Sequence, residues 1–440
     1  MKKTSHSNNG ADIEVPSTPD FSRLPTRPSE MAVYREDGPP RAADNPLYLA
    51  IPGPRSVPEV RALMESANPV FDPTVRSLPP HIRKERVDDV DSVLFSVRQH
   101  VALEEMVMTT IRNAFSSRPW NNLYVQQAAA LANSIGSSCD TPPTLGRGSV
   151  GSGSVFGGVG RGKTVSLIKI LMGSPQTIKH AVFKGRRLGI TQIAWLYLSM
   201  PPKASSFGLL VWIASVLDYI LGTNYRGEVE NAKNHTDRTR IVASKLAIHA
   251  VGVIFCDELQ NIKVGSKTER ELLENTLQEL INYTHTRWVF VGTNDARTSI
   301  KSEALLRRMI GERGQINWAS LSPGSEWDEF LTNLWSWQVT SKATELTPKI
   351  SATMHRLTGG VADYAKKLFT AAQVNVIGNS KHPDEQLTEE VLLKTMRGSF
   401  GELHVRLERE FHRKAAVEKA RASREVRESK KSKPESGSKQ

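Results

Sequence analysis

The segment Gly157-Gly158-Val159-Gly160-Arg161-Gly162-Lys163-Thr164 matches G-x-x-x-x-G-K-[ST] at every fixed position. It runs straight into the apolar positions Val165, Leu167, Ile168, Ile170 and Leu171, a helix suited to packing on a sheet. Such a loop needs a strand before it and a helix after it, so it points to an α/β chain. Glycines let the backbone close around a phosphate chain with successive N–H groups turned inward, and the helix N-terminus adds partial positive charge. Lys163 is placed to reach the β- and γ-phosphates and Thr164 to bind magnesium. Gly151 to Gly162 is also glycine-rich, and a linker of that composition would match the same pattern by chance, so the decision rests on segments further along the chain.

Two later segments supply what the loop lacks. Val251-Gly252-Val253-Ile254-Phe255-Cys256 is an uninterrupted apolar run, as expected of a strand buried on both faces of a parallel sheet, and it ends in Asp257-Glu258. Asp257 is suited to holding magnesium and Glu258 to polarising the water that attacks the γ-phosphate. A core strand meeting a solvated acidic loop would look alike in isolation; downstream of a glycine loop the pair acquires a role. Trp288-Val289-Phe290-Val291-Gly292 is a further strand, ending in Thr293-Asn294-Asp295. A polar side chain at that end stands between the carboxylates and the γ-phosphate. Asn294 is the choice for this sensor, with Thr293 and an ordinary Asn-Asp turn as rivals.

At 440 residues the chain has room for two or three domains, and 39% hydrophobic residues suffice for real cores. Cys139 and Cys256 form neither a disulfide framework nor a metal site, since one lies in a polar linker and the other in a buried strand. A reducing, cytoplasmic setting is expected. Met1 to His6 is polar, without the apolar core of a signal peptide. The longest apolar segment, Phe207 to Leu221, is too short for a bilayer and carries Asp218, so it reads as a buried helix and no membrane partner is expected. A net charge of +12 suits an acidic polymer, with double-stranded DNA first, although ribosomal and chaperone-like proteins are as basic.

Composition divides the chain into residues 1–90, an extended and partly disordered arm rich in Pro, Ser, Asp and Arg; 91–320, the α/β core; 321–400, a helical lid; and 401–440, a basic tail. Leu94, Val97, Val101, Met106, Val107 and Ile111 predict an amphipathic helix. A Ser, Gly and Pro stretch with Arg147 then precedes the glycine loop, leaving only Ser154-Val155-Phe156 as its strand. Gln192 to Ser199 reads as a strand, Ser205 and Ser206 start a helix that stops at Gly222, and Arg238 to Ala250 and Glu269 to Tyr283 read as helices. From Ser325 only helices are expected: one around Trp327 to Trp335, then Ile350 to Leu357 and Val361 to Val376. Strands alternating with helices, then helices alone, make an AAA+ layout: a parallel sheet flanked by helices, followed by a small helical lid.

From about Leu94 to Ile377 the sequence resembles the TnsC/TniB-type AAA+ regulators of DNA transposition. The resemblance rests on Leu221-Gly222-Thr223-Asn224-Tyr225, Cys256-Asp257-Glu258-Leu259-Gln260-Asn261-Ile262 and Phe290-Val291-Gly292-Thr293-Asn294. It continues through Leu306-Arg307-Arg308 with Gly311 and Gly314, Trp335 with Gln338, and Thr358-Gly359-Gly360-Val361-Ala362-Asp363 with Lys367-Leu368-Phe369 and Gln373. It implies an ATP- and magnesium-dependent switch, assembling with itself as rings or filaments on double-stranded DNA and linking a target-selection protein to transposase subunits. Each nucleotide would lie between subunits, where a neighbour's arginine stabilises charge on the γ-phosphate. Arg307 and Arg308 stand where AAA+ proteins place that arginine, Arg308 being favoured, with a basic turn or a DNA contact as the alternative. Gly359 to Asp363 has no arginine where many AAA+ proteins carry a second sensor, which leaves Lys366, Lys367 or no residue at all in that role and implies slow hydrolysis.

DNA contacts are expected on loops facing a pore, at Lys203, Arg226, Lys233, Arg238 and Arg240, each of which would serve equally as a solvated charge. Contacts to phosphates alone would be salt-dependent and indifferent to sequence. The tail from Glu402 to Gln440, with Arg406, Arg409, Arg413 and Lys414, is a hook for transposase or DNA, or a solubilising segment. Three readings stay open: an ATP-hydrolysing transposition regulator whose turnover is stimulated by DNA, a nucleotide-binding scaffold with negligible turnover, and a replication initiator or loader type ATPase.

Overall fold

Five strands, most of their residues buried, lie side by side in the computed structural model, which describes residues 24–116, 118, 121–137, 151–298, 300–311, 314–407 and 409. The strands in chain order are β1 (Glu30–Met31), β2 (Gly153–Gly157), β3 (Thr177–Phe183), β4 (Arg186–Ile193), β5 (Trp195–Ser199), β6 (Val253–Asp257), β7 (Arg287–Gly292) and β8 (Gln315–Trp318). The main sheet has the order β5-β6-β7-β2-β8, and β5, β6, β7 and β2 pair in parallel. Every residue of β2, β6 and β7 is buried, the pattern of a sheet covered on both faces. A second sheet, β1-β3-β4, joins a parallel pair to an antiparallel hairpin.

The described residues group into two compact units. The first draws on Met1–Pro54, Met106–Phe156 and Leu171–Ile316, and holds the sheets with a core that includes Ile254, Phe290, Leu210, Leu217, Leu246 and Leu277. Among its helices, Ser206–Leu221 starts as its sequence asks: Ser205 caps it by accepting from Gly208 N at 2.9 Å. It ends at Gly222, in the left-handed region at φ 71°. The second draws on Arg55–Glu105, Gly157–Ile170 and Asn317–Gln440. There Ser325–Trp335, Pro348–Thr358, Ala362–Val376 and Glu389–Ser399 close around Trp327, Phe330, Met354, Leu368 and Phe369.

In two places the local structure differs from what the residues suggest. The proline-rich segment before residue 90, read as extended, contains helices at Pro46–Leu49, Val57–Glu65 and Pro80–Arg86. Each has a proline in its first turn, where the missing N–H costs no bond. Asn45 caps the first, and a Ser56–Glu59 capping box starts the second. The run from Gln192 to Ser199, read as one strand, breaks at Ala194 and serves both sheets: Ala194 N donates to Gln176 O at 2.7 Å while Val253 N donates to Ala194 O at 3.2 Å. The hairpin of β3 and β4, which takes the first two residues of that run, has no counterpart in the sequence reading. Cys139, Arg147 and the tail beyond Arg409 lie outside the described residues. Among those described, no helix is long and apolar enough to cross a membrane.

Candidate nucleotide site

Parallel register brings the carboxyl ends of three strands to one edge of the main sheet. Phe156 is level with Gly292, and Cys256 with Phe290, so β2, β6 and β7 all end, at Gly157, Asp257 and Gly292, on the same side. In open parallel sheets this carboxyl-end edge is where ligands bind.

The loop leaving β2 is bound largely by its own backbone and by residues of its own unit. Gly160 and Gly162 hold φ at 73° and 83°, a conformation that favours glycine. At Gly157 a Cβ would stand 2.3 Å from Trp318 O, which excludes any side chain. Lys163, first residue of the helix Lys163–Met172, is 9% exposed and donates through Nζ to Gly157 O at 3.0 Å and Gly158 O at 2.8 Å. Its ammonium rests on neutral carbonyls, and phosphate oxygens offer a stronger, charged acceptor. Thr164 comes next, half-buried.

Two anchors of this loop were not evident from sequence. Trp318 Nε1 donates to Arg161 O at 2.6 Å while Arg161 Nη1 donates to Trp318 O at 3.1 Å. Ser166 Oγ donates to Gly162 O at 2.7 Å and stands 3.0 Å from His100 Nε2. His100 Nδ1 accepts from Val97 N at 3.0 Å, which leaves Nε2 as the protonated nitrogen that donates to Ser166. Burial pushes the His100 imidazole down to about 4, so it stays neutral near pH 7. Above the loop, a Cβ on Gly160 would meet Asp363 Oδ2 at 3.3 Å, and Asp363 pairs with Lys367 at 2.8 Å. Lys366 turns away: its Nζ donates to Val93 O and lies 5.5 Å from the Phe95 ring centre.

The carboxylates are held from a distance in sequence. Asp257, 2% exposed at the end of β6, accepts from Tyr197 Oη on the neighbouring β5 at 3.0 Å and from Glu258 N at 2.7 Å. Burial, then the adjoining Asp257 charge, pushes the Tyr197 phenol above its ordinary range, keeping it a donor. Glu258 is exposed and sits at φ 56°, an uncommon conformation for a residue with a side chain and one that recurs at functional turns. Gln260 joins the two loops: its Nε2 donates to Glu258 Oε2, and its Oε1 accepts from Thr293 N at 3.3 Å. Gly292 makes room, since a Cβ there would lie 3.1 Å from Gln260 Oε1. Asn294 opens the helix Asn294–Arg297 with its side chain exposed; Thr293 is half-buried. The Cys256 thiol is buried and pushed up by that burial, hence unreactive.

Arg307 and Arg308 occupy the last turn of Glu303–Ile310. Arg307 is exposed and pairs with Glu303 at 2.5 Å. Arg308 is half-buried, donates through Nη2 to Asn282 Oδ1 at 2.8 Å, and its Nη1 is buried without a hydrogen-bond partner among the described residues. Of the cations considered for DNA, Lys203, at φ 61°, and Lys233 are exposed. Arg226 pairs with Glu230 at 2.8 Å, and Arg238 lies 4.8 Å from the Phe207 ring centre. Arg240 is 4% exposed and donates to Ser134 O at 2.8 Å and Ser137 O at 3.1 Å, which gives it a structural task.

A glycine loop after the first strand of the main sheet, acidic residues after the third and a polar turn after the fourth, in the order β5-β6-β7-β2-β8, define an AAA+ type P-loop fold. Within it, residues 122–313 match the family model TniB, described as Bacterial TniB protein, in agreement with the TnsC/TniB-type resemblance. Among solved structures the chain is similar to a Walker-type ATPase of Pyrococcus abyssi, at 10% identity and TM-score 0.35 over 66% of this chain and 75% of that one. It is also similar to Cdc6p from Pyrobaculum aerophilum, at 14% identity and TM-score 0.30 over 64% and 67%. A katanin structure concerned with self-assembly matches at 12% identity and TM-score 0.30 over 70% and 93%. No curated protein matches the chain.

Proposed function

We propose that this chain is an ATP-hydrolysing regulator of DNA transposition that assembles with further copies of itself on double-stranded DNA and links a target-selection protein to the transposase. The observation that carries the reading is the common sheet edge at which Gly157, Asp257 and Gly292 end their strands, within a stretch matching the TniB model.

The donor set fits a nucleotide with its metal. Backbone N–H groups from Gly157 to Gly162 cradle phosphate oxygens, and Lys163 exchanges the Gly157 and Gly158 carbonyls for the β- and γ-phosphates. Thr164 and Asp257 would hold magnesium, which when bound would neutralise charge on the phosphate chain. Tyr197 keeps one Asp257 oxygen oriented. Glu258 takes up the proton of the attacking water, and Gln260 orients Glu258 while linking it to the turn that carries Asn294, the sensor. Arg308, supplied to a neighbouring copy's nucleotide, is the first choice for the stabilising cation; Arg307 is engaged with Glu303. Lys203 and Lys233 remain the best placed of the DNA cations.

A second reading, a scaffold with very slow turnover, is favoured by the two lid lysines, since Lys366 is bound to Val93 and Lys367 to Asp363. Electron microscopy of the chain with ATP, magnesium and duplex DNA tests assembly. Ordered oligomers that need both nucleotide and DNA are expected; monomers under every nucleotide condition would remove the intersubunit role of Arg308.

A further inference from the structure

From Thr141 to Leu217 the sequence holds no Asp or Glu, while nine Lys and Arg fall in the same stretch. Four of them, Lys179, Lys184, Arg186 and Arg187, lie on the hairpin of β3 and β4, which carries none of the nucleotide-site residues.

The base of this hairpin is anchored. His180, 2% exposed, donates through Nε2 to Gln192 Oε1 at 2.7 Å and accepts at Nδ1 from Tyr34 Oη at 2.9 Å; Gln192 Nε2 then donates to Leu47 O at 3.0 Å. Tyr34 also packs edge-on against Phe183, with ring centres 4.8 Å apart. The tip is a two-residue turn, Lys184 at φ 48° and Gly185 at φ 78°, closing the pair Phe183 and Arg186 in the geometry that matches strand twist. Lys184 is fastened by Asp44 at 2.5 Å. Lys179, Arg186 and Arg187 differ: all three are exposed, and none makes a side-chain hydrogen bond or ion pair among the described residues.

Arg186 stands across from Phe183 and Arg187 from Val182, so by strand alternation the arginines project from opposite faces of the ribbon. An acidic protein surface would meet one face. A nucleic-acid groove has phosphates along both walls, and the major groove of duplex DNA admits a two-stranded ribbon. We propose that the β3–β4 hairpin is a duplex-DNA contact, taking backbone phosphates through Lys179, Arg186 and Arg187. This rests on the DNA-binding reading of the chain but adds an element that reading does not contain.

The test is the double variant Arg186→Gln, Arg187→Gln of the full chain with ATP and magnesium, titrated against a labelled duplex of arbitrary sequence over a series of salt concentrations. Affinity near 0.1 M salt should fall about 10-fold, and the slope of log affinity against log salt should lose about two units. Lys267→Gln with Lys394→Gln, an equal charge change at exposed positions elsewhere, should leave the slope unaltered. An R186Q/R187Q variant, folded by circular dichroism, that keeps the native affinity and slope overturns the hairpin assignment. So does a variant that keeps DNA binding but loses an acidic protein partner. If the unaltered chain binds no duplex at low salt, the broader DNA reading falls with it.

Discussion

Gly157–Thr164 and Asp257–Glu258 are held in opposite ways. The glycine loop takes its shape from φ values at Gly160 and Gly162 and from Lys163 bonding to carbonyls five and six residues back, with Trp318 and His100 as its two outside anchors. The carboxylate turn takes its shape from other strands: Tyr197, 60 residues earlier, fixes Asp257, and Gln260 ties Glu258 to a backbone N–H 33 residues beyond Gln260 itself. A loop shaped largely by its own backbone is legible in a short motif, and only its outside anchors are not. A turn shaped by tertiary partners can be tuned by residues that no motif contains.

The contrast can be broken from the loop side first. Lys163→Ala should weaken ATP binding by about 100-fold, because two carbonyls cannot replace charge-assisted bonds to phosphate; calorimetry or a fluorescent analogue measures it, and unchanged affinity would mean that the loop holds no phosphate. The next effect is on pH. The His100 imidazole lies at about 4 when folded against 6.5 unfolded, so the unfolded chain binds the extra proton between these values. Its contribution to stability is complete above pH 6.5 and is lost as pH falls toward 4, a loss on the order of 3 kcal/mol. His100→Gln should flatten part of that slope in denaturant titrations; His285, pushed down to about 4 by burial and then by nearby Arg118, keeps the rest.

On the turn side, Gln260→Ala should lower ATP turnover about 10-fold with little change in nucleotide affinity, since it frees Glu258 without touching the loop. A matching fall in affinity would mean that the two regions are not separable. Tyr197→Phe removes one hydrogen bond to a buried carboxylate and should cost about 1–2 kcal/mol of stability by thermal unfolding, with the loop's affinity for nucleotide nearly unchanged.

The same contrast explains what the residues disclosed unaided. The glycine loop, the strands ending at Asp257 and Gly292, and the helical run after Ser325 are local patterns, and each formed as its apolar spacing predicts. The prolines at 46, 58 and 80 misled because a first helical turn and an extended segment tolerate proline equally. The hairpin escaped notice because Lys184-Gly185 is a weak turn signal and its strands merge into the next apolar run. The Gln260 bridge and the His100–Ser166–Gly162 chain arise only when distant segments meet. Arg240 looked like its basic neighbours until burial committed it to Ser134 and Ser137.

The central claim is that nucleotide chemistry at the Asp257–Glu258 turn answers to DNA. ATP turnover measured with and without duplex DNA, for the native chain and for Glu258→Gln, tests it most directly. Turnover should rise with DNA in the native chain and fall by about 100-fold or more in the variant while ATP remains bound. Turnover indifferent to DNA, or equal in chain and variant, would contradict it.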